Sequence, residues 1–262
     1  VLRGVAYQAR VEGGSAVRPR QEMERRFREE LRRDDGLAYP AADAARVASA
    51  VLSQAEDEYG LLVPHGVGMV GFLHRVLLDQ LAGEHLATLS PEAQESTLTV
   101  RAGDPTWRDV LIAGLATQVN AHVNASLLTR LCEHPEVDSV DKYELIADAI
   151  AADVAITTPK QLQWVTEIIE RVNEHADTDH RATLIASLVS MTKHASLRPL
   201  LLTTFRRWLN AAHPEPTSPL WMLRDAAVAE TGVLPALMWG LRHEDEAVQL
   251  NAAHAIATRY AG

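Results

Sequence analysis

The chain has 262 residues, 47% of them hydrophobic, which is enough to bury a substantial core in one large or two smaller domains. A formal net charge of -10 argues against general nucleic-acid binding, because an acidic surface repels the phosphate backbone. Its single cysteine, Cys132, excludes an internal disulfide bond. No apolar run approaches the roughly 18 to 20 residues of a membrane helix, so we expect a cytoplasmic protein with no membrane partner.

The start of the chain already has a helical pattern. Leu2, Val5 and Ala6 are spaced as on one face of a helix, and they follow directly on Val1. A chain that opens inside a helical pattern is typical of a piece of a longer protein. We therefore expect further residues before Val1.

Residues 1–90 change pattern several times and are predicted to form one domain. Met23, Phe27 and Leu31 recur at every fourth position and predict a helix that follows Pro19. The same segment holds the one candidate basic patch, the seven arginines between Arg18 and Arg33. Glutamates are interleaved with them, and this mixture is typical of a solvated helix face.

A second helix is predicted over residues 41–58, and the period then changes. Two short apolar runs, residues 61–63 and 69–72, flank the glycine-rich segment Pro64-His65-Gly66-Val67-Gly68. This arrangement predicts a β-hairpin. Helices followed by a small hairpin are typical of a winged helix.

Residues 91–262 are predicted to form a second, all-helical domain, with the boundary near Ser90-Pro91. Apolar stripes on successive helices and short connections favour antiparallel neighbours that stack into a HEAT-like array, with an irregular helical bundle as the alternative. The predicted helices are Trp107 to Val119, Ala121 to Glu133, Tyr143 to Ile156, Leu162 to Val172, Ala182 to Met191 and Leu200 to Leu209, with three more near the end. The predicted fold class is therefore mainly α.

The segment Tyr59 to Ala87, YGLLVPHGVGMVGFLHRVLLDQLAGEHLA, resembles the end of the winged helix of NACHT-family signalling NTPases. In that family an SGLL strand, a glycine loop and an FLHRTFQEYLAA helix follow in this order and spacing. The family's polar QE pair is Leu78-Asp79 here and its tyrosine is Gln80, which leaves open any contact that those side chains make. The family's motif histidine corresponds to His74.

The resemblance implies a regulatory and sensing role without catalysis in this chain. In the family the motif histidine contacts ADP held by the neighbouring NTPase module and stabilises the resting state. The expected partners are that upstream module, with its ADP or ATP and magnesium, and a protein or nucleic-acid trigger at the helical array. Oligomerisation on activation is expected too, in the manner of bacterial immune or stress signalling. The alternative role for His74 is to cap or pack the start of its helix.

The end of the chain looks like a HEAT repeat. Leu237 and Leu241 are placed on a first predicted helix, and Asp245 is placed as the N-cap of a second. The second helix carries Val248 and Ile256 as seam residues and the small residues Ala252, Ala253 and Ala255, which would allow a close approach of the two helices.

Catalytic motifs are missing from the sequence. No phosphate-binding GxxxxGK[ST] loop is present, and the only Asp-Asp pair, Asp34-Asp35, does not follow an apolar strand. A small all-α metal enzyme built on His122 and His134 is one alternative function. A stand-alone winged-helix DNA-binding regulator is another, although its recognition helix, residues 41–58, has the wrong charge for a major groove.

The five tryptophans (107, 164, 208, 221 and 239) are expected mainly in the core, with one or two available for a ligand-facing groove.

Overall fold

The computed structural model describes residues 1–13, 17–33, 38–174, 178–210 and 234–260; Asp34-Asp35 and Trp221 lie outside the described residues. The described chain is mainly helical with a small antiparallel sheet, as predicted. It divides into two compact units, Val1–Val119 and Asn120–Gly262. The first unit thus extends past Ser90-Pro91, where the sequence pattern changes.

The first unit begins with a winged helix. Its sheet has the strand order β1-β3-β2, and both neighbouring pairs are antiparallel. The hairpin predicted from the two apolar runs is confirmed, whereas the third strand was missed because it is only three residues long and ends in a proline. The elements are α1 (Leu2–Val11), β1 (Val17–Pro19), α2 (Arg20–Arg32), α3 (Ala41–Asp57), β2 (Leu62–Pro64) and β3 (Met69–Phe72).

The winged-helix core follows the apolar spacing of its helices. Met23, Phe27 and Leu31 of α2 are all buried, as the four-residue spacing predicts. They face α3, which buries Ala44 and Leu52 on the side toward α2. The arginines and glutamates of α2 lie outside this stripe, but they are not all solvated as predicted. Arg26 of α2 and Arg18 of β1 are only 10% and 17% exposed in their side chains, because both pair with Glu12 and Glu22.

Three further helices complete the first unit: α4 (Arg75–Leu86), α5 (Pro91–Arg101) and α6 (Arg108–Thr117), with a 3-10 turn at Pro105–Trp107 before α6. The central helix, α4, packs against both α1 and α6. The crossing of α4 and α6 is close at Gly83, where an added Cβ would lie 2.7 Å from both the Gly114 nitrogen and the Val110 oxygen. Glycine at this position is therefore required by the packing.

In the second unit most helices contact the next described helix, and two of them also contact the next but one. Packing between elements close in the chain is a feature of helical arrays. Among the residues that the structure describes, no helix has the length and apolar character needed to cross a membrane. The helices are α7 (Ala121–Glu133), α8 (Ser139–Ala151), α9 (Thr158–Glu174), α10 (Thr178–Ser190), α11 (Arg198–Leu209), α12 (Leu234–Gly240) and α13 (Glu246–Tyr260).

The predicted bounds of α8 were wrong at both ends. The helix begins at Ser139, because the Asp138 carboxylate caps it by accepting a hydrogen bond of 2.7 Å from the Val140 backbone N–H. It ends at Ala151, and Asp153 then adopts a left-handed conformation with a φ of 62°. A capping aspartate and a left-handed residue therefore set the two ends, not the apolar periodicity on which the prediction relied.

The last two helices form the predicted antiparallel pair. Asp245 caps α13, since its carboxylate accepts a 2.8 Å hydrogen bond from the Ala247 N–H. Gly240 of α12 lies against Ala252, so close that a Cβ on Gly240 would be 2.8 Å from the Ala252 Cβ. Leu241, predicted on the first helix of this pair, follows its last residue, Gly240, and is 36% exposed.

Candidate functional site

The candidate site lies at the start of α4, where His74 is the last extended residue before the helix. Its φ of -138° and ψ of 147° belong to extended backbone, and its carbonyl accepts hydrogen bonds from the N–H groups of Leu77 and Leu78. The His74 side chain is exposed and makes no capping hydrogen bond. Its imidazole is therefore available to a partner outside the described residues.

Exposed apolar side chains surround His74. Leu73 is 46% exposed, and Val76 in the first turn of α4 is 77% exposed. Tyr59, 64% exposed, lies two residues before Leu61, whose carbonyl accepts the Leu73 N–H at 3.0 Å. Single exposed apolar residues are normal, but neighbouring ones mark interaction surfaces. We call Tyr59, Leu73, His74 and Val76 the α4 N-terminal surface.

A buried carboxylate lies one turn below this surface. Asp79 is only 2% exposed, with Arg10 Nε 3.1 Å from its Oδ1 and Arg75 Nε 3.4 Å from its Oδ2. Both arginines also donate to the backbone carbonyl of Thr106. Burial raises the pKa of Asp79, and the charges of Arg10 and Arg75 oppose that shift without cancelling it. The cluster joins α1, α4 and the 3-10 turn, and so fixes the direction in which α4 leaves the sheet.

Only an indirect signal of this cluster is present in the sequence. Asp79 was noted as a departure from the family's QE pair, with its contacts left open. The usable signal was an aspartate four residues after Arg75 and directly after the apolar run Val76 to Leu78, because a carboxylate buried with such a run needs a cation beside it. Arg10 could not be found in this way, since it lies on a different helix and is 69 residues earlier in the chain.

An aromatic cluster lies beside the Asp79 cluster and also involves α1 and the 3-10 turn. Trp107 is 2% exposed, and the Arg101 guanidinium carbon lies 4.8 Å from its ring centroid. Tyr7 meets Trp107 edge to face, with 5.9 Å between the ring centroids, and its hydroxyl is 3.1 Å from Thr97 Oγ1. These contacts tie α1 to α5 and to the 3-10 turn.

The outer face of α3 does not have the chemistry of a DNA-recognition helix. Three of its seven exposed residues are alanines, and the others are Asp43, Arg46, Gln54 and Asp57. Arg46, the only cation among them, lies 3.6 Å from Asp43. Arg20 at the start of α2 is paired with Glu56 of α3 at 2.6 Å. A major-groove helix needs unpaired cations and hydrogen-bonding side chains on this face. Nothing on this face therefore favours the DNA-binding alternative.

The proposed metal ligands are not brought together. His122 lies in the first turn of α7 and His134 directly follows its last residue, so the helix separates them by about 18 Å. In the described part of the chain no group of three or more metal-binding side chains was found. Cys132, the only thiol, is partly buried, and burial raises its pKa to about 11, which leaves little thiolate at neutral pH.

The described tryptophans divide between core and pocket. Trp107, Trp164 and Trp208 are at most 5% exposed, as expected of core residues. Trp239 instead lines an open pocket in the second unit and is the one described tryptophan in such a position.

Comparison of the chain with protein-family models, with curated proteins and with solved structures found no match.

Proposed function

We propose that this chain is the regulatory part of a NACHT-type signalling NTPase and that its winged helix holds an upstream nucleotide-binding module in the resting state. The second, helical unit receives the protein or nucleic-acid trigger, and the assembled protein works in the cytoplasm. ADP or ATP with magnesium belongs to the upstream module. The chain itself contributes binding surfaces and no catalytic group.

The observation that carries the proposal is the exposure of His74 within the α4 N-terminal surface. A neutral imidazole can donate one hydrogen bond to a phosphate oxygen, and a protonated imidazole adds charge. His74 directly precedes the first turn of α4, and the N-terminus of a helix favours an anion. Leu73 and Val76 supply the apolar contact that a docked domain would cover. One surface thus combines a phosphate-binding group with an apolar border.

The buried cluster below supports this assignment of roles. Asp79, Arg10 and Arg75 hold α4 against α1 and the 3-10 turn, so the helix that directly follows His74 is fixed by ion pairs. A resting-state lock needs such a support, because a hydrogen bond to the nucleotide is lost when its donor moves by about 1 Å. Release of the lock would then require the whole first unit to move away, as in a rigid-body switch.

The test uses the longer parent protein with a fluorescent ADP analogue bound. Replacing His74 by Ala should speed ADP release by about tenfold or more, because a hydrogen bond to a charged group is worth about 1.5–3 kcal/mol. His65→Ala is the matched control, since His65 is also an exposed histidine of the winged helix and lies in the hairpin loop. Equal release rates for the two variants, both with native circular dichroism spectra, would refute the role of His74.

A further inference from the structure

A pocket of about 580 Å³ opens in the second unit between the end of α11 and helix α12. It is lined by Arg206 of α11, by Pro235, Met238 and Trp239 of α12, and by residues 242–244 of the loop that follows. Its volume is within the range of about 300–1,000 Å³ that is typical of small-molecule sites. Every described residue that lines it belongs to the second unit.

Two arginines of the pocket have no acidic partner among the residues that the structure describes. Arg206 Nε is enclosed by protein and has no hydrogen-bond acceptor, and Arg242 forms no ion pair with the residues that the structure describes. In the first unit, by contrast, Arg20 and Arg26 are paired with glutamates. An enclosed donor without an acceptor costs free energy unless a ligand supplies one. Two guanidinium groups together suit a phosphate, which they can bind in a bidentate way.

The wall of the pocket is aromatic. The Arg206 guanidinium carbon lies 5.8 Å from the centroid of the Trp239 ring, and the His243 ring lies 4.9 Å from it at an angle of 59°. Nδ1 of His243 accepts a 3.1 Å hydrogen bond from the Asp245 N–H, so a neutral imidazole carries its proton on Nε2 and can donate it. Tryptophan, arginine and a donating histidine are the side chains on which nucleic-acid bases stack and bind.

Apolar and polar groups at the rim complete the chemistry. Met238 is 38% exposed beside Trp239 and offers a polarizable surface to a flat ring. Glu244, the one carboxylate among the described lining residues, is exposed and can accept hydrogen bonds from hydroxyl groups. Nucleotides are the class of molecule that combines a phosphate, a planar ring and a hydroxyl-bearing sugar.

We propose that this pocket binds a ribonucleotide, with its phosphate on Arg206 and Arg242 and its base against Trp239. The ribonucleotide is either free or the phosphorylated end of an RNA strand, since both carry the same chemistry. This inference does not rest on the proposed function, because the pocket is contained in the chain itself and the test uses the chain alone. The pocket is separate from the ADP expected in the upstream module.

Calorimetric titration of the 262-residue chain with adenosine 5′-monophosphate tests the proposal. Adenosine and inorganic phosphate, which each lack one part of the ligand, should bind at least about tenfold more weakly. Replacement of Arg206 by Gln should weaken binding by about tenfold or more, whereas Arg207→Gln should not. Arg207 is the matched control, because it is the next residue of the same helix, is exposed and does not line the pocket. Trp239→Leu should also weaken binding without changing the fold.

A 5′-phosphorylated oligoribonucleotide distinguishes the two sources of the ligand. Much tighter binding of the oligonucleotide than of the mononucleotide identifies an RNA end, and equal binding identifies a free nucleotide. Absence of binding by both would overturn the proposal. Equal losses of affinity in Arg206→Gln and Arg207→Gln would overturn it too. So would polyglutamate that displaces the nucleotide fully and whose own binding is unaffected by Trp239→Leu. Either result means attraction by charge alone.

Discussion

The close crossing of α4 and α6 gives a sharp test of the fold that presents His74. A Cβ added to Gly83 would lie 2.5 Å from the Ala113 Cβ and 2.7 Å from two backbone atoms of α6. Backbone atoms cannot turn away as a side chain can, so in Gly83→Ala the two helices must separate. Overpacking of this kind costs about 1–3 kcal/mol, and the better helix propensity of alanine returns about 1 kcal/mol. We expect a net loss near the upper end, about 2 kcal/mol.

Gly114 provides the matched control in the facing helix. A Cβ there would meet the end of the Leu86 side chain at 3.0 Å and the Gly83 oxygen at 3.2 Å, contacts that small movements relieve. Gly114→Ala gains the same helix propensity, so its free energy of unfolding should stay within about 0.5 kcal/mol of the native value. Adding Ala113→Gly to Gly83→Ala should recover only part of the loss, because the two backbone contacts remain.

Urea unfolding followed by circular dichroism measures the loss, and amide hydrogen exchange locates it. Exchange should accelerate in peptides of α4 and α6 and stay unchanged in α7 to α11, since the perturbation is confined to the first unit. Equal stability of Gly83→Ala and Gly114→Ala would show that the crossing is looser than described. Full recovery by Ala113→Gly would show that the backbone contacts do not matter.

Three further predictions concern titratable side chains. Burial raises the pKa of Asp79 above 3.8, so the contribution of this carboxyl group to stability is complete below that pH and is lost as the pH rises through the folded pKa. Urea unfolding at a series of pH values should show that the native chain gains stability relative to Asp79→Asn as the pH falls. A stability difference that stays constant with pH would contradict this prediction. The Lys142 ammonium donates hydrogen bonds to the carbonyls of Cys132 at 3.1 Å and His134 at 2.6 Å. Lys142→Met should therefore lower the free energy of unfolding, measured in urea, by about 1–3 kcal/mol. The surface control Lys193→Met, which removes an exposed ion pair, should lower it by less than about 1 kcal/mol. With a pKa of about 11, only about one Cys132 thiol in 1,000 is ionised at pH 8. Iodoacetamide should therefore alkylate Cys132 far more slowly than it alkylates free cysteine. An equal rate would contradict this prediction.

The fold could be predicted well where local patterns determine it. The spacing of Met23, Phe27 and Leu31 identified the packed face of α2, and the glycine loop between two apolar runs identified the hairpin. Asp245 was identified as a cap from its position alone. In each case residues close together in the sequence create the structure, so the chain carries the information locally.

Features made by distant residues could not be predicted. Strand β1 exists because Val17 and Arg18 pair with β3, more than 50 residues later, and three residues ending in proline give no period of their own. The pairing of Arg10 with Asp79 depends on how α1 packs against α4. The pocket at Trp239 depends on the side of α12 that meets α11. Periodicity finds the faces of elements, but tertiary packing decides which faces meet.

The most direct test of the central claim is the reading frame upstream of the codon for Val1. If the chain is the regulatory part of a signalling NTPase, the frame stays open and encodes a GxxxxGK[ST] loop at the end of an apolar strand, the sequence that cradles nucleotide phosphates. An in-frame stop codon before any such loop, or a start codon immediately upstream, would contradict the account. In that case His74 would have no nucleotide to hold, and the α4 N-terminal surface would need a different partner.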